Sequence, residues 1–149
     1  VASRRQAREY ALAALYEADV REVPGMPCLA DLWASLLDGD AQDGGARSAE
    51  AEEVEFAERL VLGVTDRQEA IDALIEQSST NWRLSRMPVV DRNILRLAAF
   101  ELLACADIPA TVSINEAIEL GKKYGSGETK AFVNGIVDRM GRQIGRIGK

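Results

Sequence analysis

The side chains able to do chemistry in this 149-residue chain include no histidine, because the sequence contains none. That absence removes Ser-His-Asp and Cys-His nucleophile pairs, histidine-ligated metals and histidine acid–base work together. An enzyme built from these residues would have to run on carboxylates, lysine or tyrosine. The two cysteines, Cys28 and Cys105, show neither zinc-type C-x-x-C spacing nor a disulfide framework. What remains is surface chemistry, carried by clustered cations and aromatic rings.

Three clusters stand out. Arg4, Arg5 and Arg8 fall, at about 100° per helical residue, on the same arc as Leu12 and Leu15, while Gln6, Glu9, Ala13 and Glu17 face the other way. Three guanidiniums cannot all be buried without partners, so they are expected to project past the end of the core as a cationic edge. A solvated, frayed N-terminus is the competing reading. The second cluster, K-K-Y-G-S-G-E-T-K-A-F at Lys122–Phe132, sets Lys122, Lys123 and Lys130 beside Tyr124 and Phe132 around a glycine-rich turn. Cations serve phosphates and flat rings serve unstacked bases, the combination that single-stranded RNA requires. A helix N-terminus at that turn adds amides that can hold a phosphate. Phe132 also begins an apolar stripe, so a pure core role stands equally beside the RNA reading. The G-S-G-E-T-K string is not a P-loop, since the order G-x-x-x-x-G-K-[ST] fails and no strand precedes it. In the third cluster, Asp91 lies in the first turn of a helix, where a carboxylate complements the dipole. Arg92 and Arg96 lie four apart on one face, where intramolecular ion pairs are the expected use.

The elements that must position these residues read as helices throughout, since apolar residues recur at helical spacing and strand signals are nearly absent. A first helix is predicted from about Arg4 to Asp19, broken by R-E-V-P-G-M-P at Arg21–Pro27. A short helix around Leu29–Leu37 follows. The acidic, glycine-rich run Asp38–Ser48 reads as a flexible loop. A long helical stretch from about Ala49 carries Val54, Ala57, Leu60, Val61 and Val64 on one stripe, bends near Val64–Asp66 and continues with Ile71, Leu74 and Ile75. Trp82, Leu84 and Met87 form a short connection. Pro88 then starts a helix over about Val89–Ala104 that is apolar around most of its circumference, as a buried central helix should be. Ser113 and Glu116 have capping-box spacing and predict a helix over Ile114–Tyr124, ended by Gly125 in a left-handed conformation. A last helix is predicted over about Glu128–Ile144. Gly135 within it costs ~1 kcal/mol relative to alanine, which close packing against another helix would explain.

The predicted architecture is all-α, with six or seven helices in two small bundles, halves at roughly 1–80 and 81–149, around the buried central helix. The net charge of −6 is unevenly spread. Residues 31–77 hold three basic and thirteen acidic side chains, whereas residues 78–149 hold eleven basic and seven acidic. Local potential is what a phosphate chain feels within a Debye length, so the overall sign does not exclude nucleic acid. No apolar stretch approaches the ~18–20 residues of a membrane span, and the first residues lack the apolar core of a signal peptide. The expected compartment is the cytoplasm.

Five segments, in this order and spacing, carry a specific resemblance. They are R-R-x-A-R-E at Arg4–Glu9, A-L-Y at Ala14–Tyr16, D-R-x-I-L-R-L-A-x-x-E-L at Asp91–Leu102, I-N-E-A-I-E-L at Ile114–Leu120 and F-V-N-G-I-V-D at Phe132–Asp138. Over nearly its full length the chain resembles the bacterial transcription antitermination factor NusB family. The Asp38–Ser48 region has no match. The resemblance implies an all-helical fold of two small bundles, no catalytic activity and no cofactor. It implies a heterodimer with NusE, a small-subunit ribosomal protein, and binding of the linear boxA RNA of ribosomal RNA leader transcripts. With other Nus factors, that pair makes RNA polymerase resistant to termination. Carried over by position, Arg4, Arg5 and Arg8 become phosphate contacts, followed by Tyr16. Tyr124, Glu128 and Phe132 fall on a second RNA-contacting segment; Lys130 adjoins them without standing on a clear family lysine, and Lys122 joins the RNA-binding set from the lysine–aromatic cluster. Asp91 matches an acidic position used against NusE. Some relatives also form homodimers that cover the arginine-rich edge. The same helical module precedes certain ribosomal RNA cytosine methyltransferases, but such an enzyme needs an α/β domain with a glycine-rich cofactor loop, which these residues do not contain. A protein-only adaptor, whose acidic block and Asp91 bind partners without touching RNA, is the remaining alternative.

Overall fold

A computed structural model describes residues 3–43 and 50–148, with the backbone alone for 37–43. Among them run seven α-helices: α1 (Arg4–Arg21), α2 (Gly25–Asp43), α3 (Ala51–Asp66), α4 (Gln68–Ser78), α5 (Val89–Ala104), α6 (Ala110–Tyr124) and α7 (Thr129–Gln143), with a short 3₁₀ turn at Leu84–Arg86. The all-α expectation and its helix number hold. Contacts divide the chain into two compact units, Val1–Thr65 and Asp66–Lys149, with the division at the break between α3 and α4 rather than near residue 80. Among the described residues no helix is long and apolar enough to cross a membrane.

In the first unit, Ser3 caps α1, its Oγ accepting the Gln6 N–H at 3.1 Å. Ala7, Ala11, Leu12, Ala14, Leu15 and Ala18 form the buried stripe, small enough for close helix approach. The helix ends at Glu22, whose φ of 56° is left-handed and whose N–H returns to the Ala18 and Asp19 carbonyls. Gly25 then lets α2 start against its neighbours, because a Cβ there would meet Val61 at 3.0 Å and Leu15 at 3.5 Å. Helix α2 is longer than predicted. It covers Asp38–Asp43, the first part of the segment expected to be a loop, while residues 44–48 of that segment lie outside the described residues. The Glu53 carboxylate, buried at the start of α3, accepts N–H groups from Ser3 at 2.8 Å and Glu50 at 3.3 Å. One side chain thus ties the beginnings of two helices together.

In the second unit, α5 is the central helix, packed by α4, α6 and α7. Ile94, Leu95, Leu97, Ala98, Ala99, Phe100 and Leu102 are all buried. At its C-terminus Arg146 donates to the Leu102 carbonyl at 2.6 Å, as cations do at helix ends, and also to the Ile108 carbonyl of the following turn at 2.7 Å. Two local predictions fail here. Helix α6 starts at Ala110 behind Pro109, not at Ile114. Ser113 is therefore inside the helix and buried, and its hydroxyl donates to the Glu101 carboxylate of α5 at 2.7 Å instead of capping. Gly135 is exposed, and a Cβ there would meet nothing within 4 Å, so close packing does not account for it.

Candidate nucleic-acid interface

The predicted site residues fall in both units. In the first, Arg4 and Arg5 are exposed at the start of α1. The caps around Ser3 hold this start in place, so the frayed-terminus reading fails from Ser3 onward. Arg8 differs from its neighbours. It is 4% exposed, which corrects the expectation that all three arginines project from the core. It shares with them the ring of Phe56 of α3, which lies 4.5 Å from the Arg4 guanidinium, 5.3 Å from that of Arg8 and 5.9 Å from that of Arg59. An aromatic face can accept a guanidinium that a purely aliphatic core would reject. Beside this stack lies a cleft of about 410 Å³, lined by Ser3, Arg4, Glu52, Glu53, Glu55, Phe56 and Arg59. Tyr16, three turns further along α1, is 43% exposed.

In the second unit the predicted segment is a tight turn between α6 and α7, organised by Thr129. This residue is buried, and its Oγ1 donates to Asp91 Oδ1 at 3.0 Å and accepts the Ser126 N–H at 2.9 Å. Its side chain also explains Gly125. The glycine is extended, with φ −90° and ψ −176°, rather than left-handed as predicted. It is needed because a Cβ there would lie 2.4 Å from Thr129 Cβ and Oγ1. Around this turn Tyr124 is 43% exposed, with the Lys123 ammonium 5.4 Å from its ring centre. Lys130 and Glu128 are exposed. Lys122 is exposed and paired with Glu119 at 3.4 Å, a surface pair of small energetic weight.

Phe132 is only partly buried, and its ring meets Trp82 edge to face at 5.9 Å and 82°. It is therefore not part of the sealed stripe of α7, which consists of Val133, Ile136, Val137 and Met140. Trp82 was not among the residues that the sequence singled out for binding. The available signal was an aromatic followed by Arg83 and Arg86 in a non-helical stretch.

Asp91 is 5% exposed. Burial pushes its carboxyl above the ordinary carboxylate range, and the Thr129 hydroxyl pulls partly the other way. Its geometry is that of a clasp between α5 and the start of α7 rather than that of an open carboxylate. Arg96 meets the ion-pair expectation, holding Asp72 of α4 through Nε at 2.9 Å and through its second terminal nitrogen at 3.2 Å. Both cysteines are buried and neither is in a disulfide. Burial, followed by the nearby Glu17, pushes the Cys28 thiol up, which keeps it protonated and a poor nucleophile. The described residues thus present cations and partly exposed rings on preorganised backbone, an arrangement suited to holding a single-stranded polyanion.

A family model described as the NusB family matches residues 5–142. A Myxococcus xanthus protein named transcription antitermination protein NusB is 46% identical over 138 residues, covering 93% of this chain and 94% of that protein. The structure of a T. maritima NusB superposes with a TM-score of 0.81 at 35% identity, covering 95% of this chain and 92% of that one. A crystal structure of antitermination factors NusB and NusE in complex with dsRNA shares the fold, with a TM-score of 0.78 at 24% identity over 94% and 96% of the two chains.

Proposed function

Because the chain belongs to the NusB family of transcription antitermination proteins, we propose that it is a non-enzymatic RNA-binding factor that acts with NusE on boxA RNA of ribosomal RNA leader transcripts. In this reading it helps RNA polymerase, together with other Nus factors, to read through terminators in the cytoplasm. The whole chain serves as one RNA-binding domain. The observation that carries the reading is the Thr129-locked turn, which joins the exposed Tyr124, with Lys123 against its ring, to the helix that carries the exposed Lys130 and the partly exposed Phe132. Arg4 and Arg5 supply phosphate contacts from α1, and Tyr16, Lys122 and Glu128 add further RNA contacts, each within its own unit. Arg8 supports that edge from beneath through Phe56. Asp91 contributes to NusE docking by fixing the α5–α7 junction. A homodimer covering the arginine-rich edge would compete with RNA.

The test is fluorescence anisotropy with a labelled single-stranded boxA RNA, with and without NusE, across a salt series. NusE should tighten binding. Each lost phosphate contact should flatten the log–log salt slope by about 0.7. Arg4→Ala with Arg5→Ala should reduce both affinity and slope, and unchanged values for the double variant would remove the arginine edge from the site.

A further inference from the structure

Trp82 is the bulkiest side chain that the second unit leaves in water, at 49% exposure. It does not sit on a loose loop. The Ser79 hydroxyl donates to the Trp82 carbonyl at 3.1 Å, and the Leu84 N–H donates to the Glu76 carboxylate at 3.2 Å, so the connection is pinned on both sides of the ring. The same stretch is tied to α7, where Arg139 donates to the Ser78 carbonyl at 3.3 Å and the Ser78 hydroxyl donates to Gln143 Oε1 at 3.2 Å. The indole itself meets Phe132 edge to face. A tryptophan used only for the core would bury its ring. Here the backbone is fixed while the residue stays half exposed, which suits a surface that a planar ligand completes.

The charges nearby in sequence point to the ligand. Arg83 and Arg86 follow the ring and are exposed, and Lys130 is exposed on the same helix as Phe132. The acidic Glu76 of the preceding helix is engaged by the Leu84 N–H. Resting on the RNA reading above, we infer that Trp82 is a further stacking residue of that surface, with its indole taking the face of an unpaired nucleobase while Arg83 answers the adjoining phosphates. Stacking of this kind adds affinity with little sequence preference, because every base has a π-face. Specificity then stays with the other contacts and with the partner protein.

The experiment follows tryptophan emission. Of the two tryptophans, Trp33 is removed as Trp33→Phe, and a single-stranded boxA RNA is titrated into the full chain with and without NusE. RNA should quench the emission of Trp82. In the otherwise unaltered chain, Trp82→Leu should weaken RNA binding about tenfold with the salt slope unchanged, because no charge is lost. Trp82→Phe should retain most of the affinity. Thermal melts of each variant separate lost binding from lost folding, and ultraviolet crosslinking of the unaltered protein should place an adduct on Trp82 without any substitution. If RNA binds by anisotropy while emission and the Trp82→Leu affinity stay unchanged, Trp82 lies outside the surface and the RNA reading survives. Quenching by NusE alone, with none from RNA, would assign the ring to a protein interface and overturn the inference. Absence of any RNA binding by the unaltered chain with NusE would instead sink the RNA reading, and this inference with it.

Discussion

Thr129 carries one hydroxyl and one methyl, and both are used. The hydroxyl links Asp91 to Ser126, while the methyl lies where a Cβ on Gly121 would approach to 3.2 Å. Thr129→Val keeps the shape but removes the hydroxyl, leaving a buried carboxylate and an amide short of a partner. It should cost about 1–3 kcal/mol, read as a lower urea midpoint with an unchanged m-value. Gly125→Ala places a methyl group into the same side chain and should cost a similar amount, about 1–3 kcal/mol. Asp91 adds a pH dependence with a definite sign. Its carboxyl holds the proton more tightly in the fold than in the unfolded chain, whose ordinary value is 3.8. Above the folded value both states are ionised and the burial cost is fully present. As pH falls through the folded value toward 3.8, the fold binds a proton that the unfolded chain does not, and its relative stability rises. Asp91→Asn keeps an acceptor for Thr129 but cannot titrate, so its stability should lack this rise as pH falls toward 3.8.

At the scale of elements, helix ends decide more than helix interiors. The Leu102 carbonyl of α5 and the Ile108 carbonyl beyond it depend on Arg146, and Arg146→Met should destabilise the second unit by about 1 kcal/mol or more by leaving those acceptors to solvent. Helix α7 offers the opposite case. Gly135 sits in mid-helix with open space around it, so Gly135→Ala should raise stability by about 0.5–1 kcal/mol through backbone entropy alone. Calorimetric melting would check both substitutions, and a fall in melting temperature for Gly135→Ala would show that the open space is misread. Periodicity made most helices legible: the α5 limits follow from Pro88 and from the apolar run up to Ala104, and the α3–α4 break from the bend expected near Asp66. The start of α6 was not legible. Ser113 and Glu116 have the spacing of a cap, but Pro109 begins the helix a turn earlier and Ser113 turns inward to Glu101. Local patterns of this kind do not report which buried acceptor awaits a hydroxyl.

For the whole molecule, the relevant electrostatic quantity is where the cations lie rather than the net charge of −6. The exposed Arg4 and Arg5 and the buried Arg8 should separate experimentally. Arg4→Ala with Arg5→Ala should lower RNA affinity and salt slope with little change in melting temperature. Arg8→Ala should lower the melting temperature first, because it removes a buried guanidinium stacked on Phe56. Equal melting temperatures for the two variants would contradict the burial of Arg8.

Sequence alone determined the helical class, the central helix, the family and the position of the aromatic–lysine turn, because each rests on spacing along the chain or on segments matched in order. Tertiary structure decided which charges are available. Arg8 and Arg4 occupy one arc of one helix and both approach Phe56, distant in sequence, yet only Arg8 is buried. Asp91 reads as a first-turn carboxylate until Thr129 closes over it. Burial of a charged group depends on what arrives from elsewhere in the chain, and helical periodicity holds no record of that.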